Sequence, residues 1–125
     1  MFTHIVVGSN DLAKSKAFYD ALFAAMGGNA GAEMGDRLVY MHNGANFMVT
    51  PPINGQPATH ANGGTIGFAM TSSEQTDDWH TAGIANGGTT CEDPPGMRDL
   101  GFAKLYLAYL RDPDGNKLCA MFPMQ

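Results

Sequence analysis

Tyr109–Met121 reads YLRDPDGNKLCAM, and the rest of the chain is organised around it. The apolar run Leu105–Leu110 meets Asp112-Pro113-Asp114-Gly115-Asn116, where proline fixes one φ and glycine is free to take a positive one, so the chain reverses. A second apolar run, Leu118–Phe122, follows at once. The local reading is a β-hairpin.

Working outward, the same pattern occurs earlier in weaker form. Tyr40–Val49, YMHNGANFMV, is a strand end, an Asn-Gly turn and a returning strand. Upstream of each hairpin stands a short apolar strand leading into a polar helix start, Thr3–Val7 and Gly64–Phe68, and each helix closes on a glycine pair, Gly27-Gly28 and Gly87-Gly88. Strand, helix, glycine pair and hairpin thus occur twice in one order, an internal duplication with a period of about half the chain.

Three segments in this order, THIVVGSNDLAKSKAFYDALF (Thr3–Phe23), GGTIGFAM (Gly63–Met70) and YLRDPDGNKL (Tyr109–Leu118), resemble the vicinal oxygen chelate superfamily, the group of glyoxalases, bleomycin-resistance proteins and extradiol dioxygenases. The resemblance runs over nearly the whole chain. It implies an α+β fold of two tandem βαβββ modules whose strands form a curved mixed sheet cupping a pocket. One such fold hosts several chemistries, so the resemblance speaks to the reaction much less than to the fold.

At 125 residues, with 44% hydrophobic and 15% charged residues, the chain reads as one unit, because modules of about sixty residues are marginal alone and gain by folding against each other. We place the modules at 1–52 and 64–125, joined by a linker at 53–63 that lacks periodicity and is rich in Gly, Pro, Asn and Thr. A net charge of -5 argues against a partner held by phosphate contacts, so no nucleic acid is expected. No apolar run of about eighteen residues and no signal-like leader occurs, so no membrane association is expected either. The expectation is a soluble cytoplasmic protein with Cys91 and Cys119 reduced.

The clearest helix is Leu12–Met26, whose Leu12, Phe18, Tyr19, Leu22, Phe23 and Met26 recur at three- and four-residue steps behind Asn10 or Asp11 as cap. Asn29–Asp36 reads as a loop or weak edge strand. Thr71-Ser72-Ser73-Glu74 matches a capping box for a helix over Ser73–Ala85, with Trp79 and Ile84 as core anchors. Glu92–Phe102, EDPPGMRDLGF, reads as irregular.

Relatives of the resembled kind hold a divalent metal with His or carboxylate ligands from the first and last strand of each module. Carried over residue by residue, those positions fall on His4, Met48, Thr65 and Cys119. A histidine is usual at the Thr65 position and a glutamate at the Cys119 position, and both are absent. Threonine is a poor ligand, thioether sulfur suits softer ions, and only His4 and Cys119 are conventional donors, so a divalent metal is disfavoured and the site reads as degenerate. Each residue also has an ordinary structural reading: a satisfied strand histidine, a packed methionine, a strand threonine, a small buried cysteine. Arg98 is a candidate for pairing with a carboxylate ligand. Tyr106 and Tyr109, three apart on one strand, face opposite sides, so only one looks into the cup; period counting does not decide which, and Tyr106 is carried as the candidate. Asp112, Asp114 and Asn116 alternate like a calcium loop, but the closing glutamate is missing, and they read as turn residues.

The expectation is therefore a homodimeric protein binding a small organic molecule in the cup through His4, Met48, Thr65, Cys119, Arg98 and Tyr106. The alternatives are a metal-dependent lyase, isomerase or dioxygenase of the same superfamily, and a resistance protein that sequesters a drug-like compound.

Overall fold

The structure, a computed structural model, describes residues 1–124. The first repeat contains β1 (His4–Gly8), α1 (Leu12–Ala25), β2 (Ala32–Met34), β3 (Arg37–His42) and β4 (Ala45–Thr50). The second contains β5 (Ile66–Ala69), α2 (Ser73–Ala85), β6 (Thr89–Thr90), β7 (Gly96–Asp99), β8 (Lys104–Arg111) and β9 (Lys117–Met124). In each repeat the opening strand lies parallel to the last one, β1 on β4 and β5 on β9, while the hairpins pair antiparallel. The strands fall into two sheets, ordered β1-β4-β3-β2 and β5-β9-β8-β6, with β1 and β5 at their edges. This is an α+β fold of two βαβββ repeats.

The segment expected to be irregular, Glu92–Phe102, contains β7, which pairs with β8. β6 pairs further along the same edge of β8, so the two are one edge strand broken between Cys91 and Pro95. Proline supplies no ladder donor, and Pro94-Pro95 interrupts the pairing without ending it. The break places Glu92 at φ 57, a conformation uncommon for a residue with a side chain.

Helix α1 buries Phe18, Tyr19, Leu22 and Phe23 and is capped by Asp11, whose carboxylate accepts from Lys14 N–H. Helix α2 buries Trp79 and Gly83, whereas Ile84, an expected core anchor, is 43% exposed. Close approach of the helices explains the difference. A Cβ on Gly83 would stand 2.3 Å from Leu110 Cδ1 and 3.2 Å from Leu22 Cδ2, so the contact is made by a missing side chain and Ile84 is turned away. The capping box sits one residue later than Thr71 and Glu74 suggest: Ser72 Oγ accepts from Gln75 N–H, and Gln75 Oε1 accepts from Thr71 N–H.

The hairpin at Asp112–Asn116 joins the repeats. Asp112 is buried, and its carboxylate accepts from the Tyr19 hydroxyl at 2.5 Å, from the backbone N–H groups of Asp114 and Asn116, and from the Asn116 amide. Asp114 in turn accepts from Asn10 N–H at 2.9 Å. The turn of the second repeat therefore docks on α1 and its approach. Asp112 is saturated by protein donors, which gives the alternating Asp-Asp-Asn pattern its physical reason without a calcium ion.

Candidate functional site

Strand alternation gives each sheet two faces. Val7, Tyr40, Phe47 and Val49 of the first repeat, with Ala108, Leu110, Leu118 and Ala120 of the second, pack into the common core. The opposite faces carry two matching lateral rows. In the first repeat Val6 lies beside Met48 and Met48 beside Val39. In the second Gly67 lies beside Cys119 and Cys119 beside Tyr109. Val6 and Gly67 each stand two residues beyond the positions to which metal ligands are carried over, His4 and Thr65, so Met48 and Cys119 are geometric equivalents. The face is open at Val6, Met41 and Met121, all exposed apolar side chains.

Among the described residues, His4 and Thr65 line different hollows of one chain. His4 is exposed, with Nδ1 2.8 Å from the Thr3 hydroxyl, and lines a hollow of about 250 Å³ with Phe2 and Asn46. Thr65 lines a different one, about 340 Å³, with Val6, Gly8, Ala61 and Lys117. Met48 is half-buried and Cys119 is 4% exposed.

The second repeat's row has the more distinctive chemistry. Burial, then the neighbouring Cys119 and Glu92, push the Tyr109 phenol up to about 12. Tyr109 is thus a neutral hydroxyl over the whole physiological range. Burial also raises the Cys119 thiol, against the lowering effect of the neighbouring Tyr109 hydroxyl, and its Sγ donates to Ala120 O at 3.6 Å. Lys117 Nζ lies 5.1 Å from the centre of the Tyr109 ring and forms an ion pair with Glu92. This cation is neutralised where it stands.

The two remaining sequence candidates are placed differently from the expectation. Arg98 folds over its own loop: Nη1 donates to Gly96 O at 3.0 Å, and Nη2 to Asp93 O at 3.2 Å and Pro94 O at 3.0 Å. These bonds tie the side chain to the Pro94-Pro95 break, so those two nitrogens are not turned toward a ligand. Tyr106 lies on the helix side of β8, where its hydroxyl donates to Asp77 of α2 at 2.8 Å. Tyr109 is the tyrosine on the open face. It is the other of the two tyrosines between which the sequence did not decide, and its neighbours Lys117 and Glu92 were not singled out. Counting outward from the turn would have found Tyr109, because Arg111 opposite Lys117 puts it opposite Cys119.

Among the described residues no three His, Cys, Asp or Glu side chains stand close enough to hold an ion. The donor types at the carried-over positions also suit a hard divalent ion poorly: one imidazole, one thiol, one thioether and one hydroxyl.

Comparison with known proteins supplies the family context. The model of the Glyoxalase/Bleomycin resistance protein/Dioxygenase superfamily matches residues 1–120. A crystal structure of a glyoxalase/bleomycin resistance protein from Albidiferax ferrireducens T118 is 60% identical, with a TM-score of 0.93 over 96% of this chain and 97% of that one. A lactoylglutathione lyase from Agrobacterium tumefaciens is similar in fold at 20% identity, TM-score 0.67, over 97% of this chain and 92% of its own. A glyoxalase/bleomycin resistance protein/dioxygenase family enzyme from Burkholderia phytofirmans PsJN is likewise similar in fold at 15% identity, TM-score 0.71, over 95% of each chain. A comparison with curated proteins gives no match.

Proposed function

Starting from the fact that this chain belongs to the glyoxalase/bleomycin resistance protein/dioxygenase superfamily, we propose that it binds a small organic molecule on its open sheet faces, at a site where the metal positions have lost their ligands. The observation that carries this reading is the Gly67–Cys119–Tyr109 row. Where the metal-dependent relatives it resembles carry a glutamate, this chain has a buried cysteine beside a tyrosine.

The same row suggests the kind of ligand. Gly67 leaves open space over its Cα, Met121, two residues from Cys119 on β9, supplies polarizable, adaptable surface, and Tyr109 offers one hydroxyl for orientation. Lys117 is paired and Arg98 is folded onto its loop, so the row favours a ligand without a strong negative charge. Neutral side chains of this kind bind and orient.

A homodimer completes the proposal. His4 and Thr65 line separate hollows in one chain, and the free edges of β1 and β5 together with exposed Val6, Met41 and Met121 offer a surface that a second copy would cover. A solution mass of twice 13.3 kDa is expected; a strict monomer at high concentration contradicts this part.

The test is a thermal-shift screen of neutral organic compounds against the wild type and a Gly67→Phe variant, which fills the open space of the row. A compound at a hundred times its Kd stabilises by about 2.7 kcal/mol. Stabilisation that Gly67→Phe removes and that a Tyr109→Phe variant also weakens supports the reading. Stabilisation that survives either substitution places the ligand elsewhere and overturns it.

A further inference from the structure

Between the two repeats lies a hollow of about 240 Å³, walled mainly by core-facing side chains and reaching the open faces at Asn46 and Gly67. Its walls come from the end of α1, from β1, β3 and β4 of the first repeat and from β5 of the second. We propose that it is a second binding site, one that takes a compact neutral aromatic molecule carrying a hydrogen-bonding substituent, of the phenol class.

Size sets the first limit. An apolar cavity of about 150 Å³ holds benzene, whereas drug-sized ligands need about 300 Å³ or more. At about 240 Å³ the hollow fits one ring with small substituents. The wall sets the second. Phe23, Met26, Phe47 and Phe68 are among its lining residues, with Phe68 nearly perpendicular to Phe23 at 6.0 Å between ring centres and tilted 65° to Phe47 at 5.5 Å. Rings crossed in this way offer both faces and edges to an aromatic guest, the geometry that aromatic pairs prefer. Among the described residues no Asp, Glu, Lys or Arg lines the hollow, so a charged guest would be left unpaired there.

The third limit is a polar group without a protein partner. His42 lines the hollow, is half-buried, and neither ring nitrogen makes a hydrogen bond among the described residues. Its ring is packed in place, edge-on to Phe23 at 6.0 Å and seated over Gly28, where a Cβ would stand 2.9 Å from Nδ1. The Tyr40 hydroxyl, by contrast, is committed to Asp20. An imidazole held still beside an apolar hollow, with its nitrogens unmatched by the protein, is a fixed hydrogen-bonding point for a hydroxyl or ring nitrogen on a guest.

The experiment is a titration of the full chain with phenol, and separately with benzene and benzoate, followed by two-dimensional amide NMR. Phenol is expected to give saturable shifts centred on Phe23, His42 and Phe68. Benzene should bind about fivefold more weakly, the weight of one net hydrogen bond, and benzoate should not saturate. His42→Leu should bring phenol and benzene within about twofold of each other. Ala45→Trp, a change at an exposed position across the turn from His42 at the rim, should abolish both. Phenol shifts that do not saturate, that centre on Tyr109 and Cys119, or that persist in Ala45→Trp would overturn the proposal.

Discussion

Asp112 is the residue on which the two halves meet. Four donors converge on its buried carboxylate, one of them the Tyr19 hydroxyl from the other repeat. Asp112→Ala leaves these donors unmatched and is expected to cost about 3 kcal/mol, a fall in Tm on the order of 10 °C read by calorimetry. Asp20 makes a second cluster, accepting from Gly31 N–H at 2.9 Å and the Tyr40 hydroxyl at 2.7 Å beside Lys16. Burial pushes its carboxyl up, but the hydrogen bonds from Gly31, Lys16 and Tyr40 outweigh that and hold it below the usual range. A depressed folded-state pKa stabilises fully above the unfolded value of about 3.9 and stops doing so as pH falls through the folded one. The stability gap between wild type and Asp20→Asn, measured by denaturant titration, should therefore be widest above about pH 5 and close as the medium becomes more acidic. The sequence declared Asp112 as a turn residue from its neighbours Pro113 and Gly115. Its partnership with Tyr19 was not readable, because nothing local couples positions 93 apart.

At the scale of elements, local rules went far where one signal dominated and slipped where two competed. Helix α1 follows from its apolar spacing and its Asp11 cap. Helix α2 offers Thr71, Ser72 and Ser73 in succession, and the choice of Ser72 depends on Gln75 reaching back to Thr71, a pairing that Glu74 imitates in the sequence. Ser72→Ala should cost about 1 kcal/mol, whereas Thr71→Ala, which keeps the backbone N–H that Gln75 accepts from, should cost a few tenths. Equal losses in chemical denaturation would contradict the assignment. Strand β7 was hidden because Pro94-Pro95 reads as a terminator, and only the pairing with β8, a tertiary fact, resumes the edge beyond it. Tyr106 and Tyr109 show the same limit: alternation separates them onto two faces, but which face meets the helices is decided by Asp77 of α2.

At the scale of the molecule, the duplication visible in the chain is the duplication seen in space, with Val6–Met48–Val39 answered by Gly67–Cys119–Tyr109. What sequence could not supply is how the halves face each other. His4 and Thr65, aligned as equivalents, line separate hollows in one chain, and the centre proposed here needs a second copy to bring such positions together. The account rests on the donor types at these positions being unfit for a hard cation. The direct measurement is elemental analysis of freshly purified wild-type protein beside a Thr65→His, Cys119→Glu variant. We predict far less than one equivalent of Mn, Fe, Co, Ni or Zn per wild-type chain, and a gain of divalent-ion binding in the variant. One full equivalent in the wild type, lost on His4→Ala, would contradict the account.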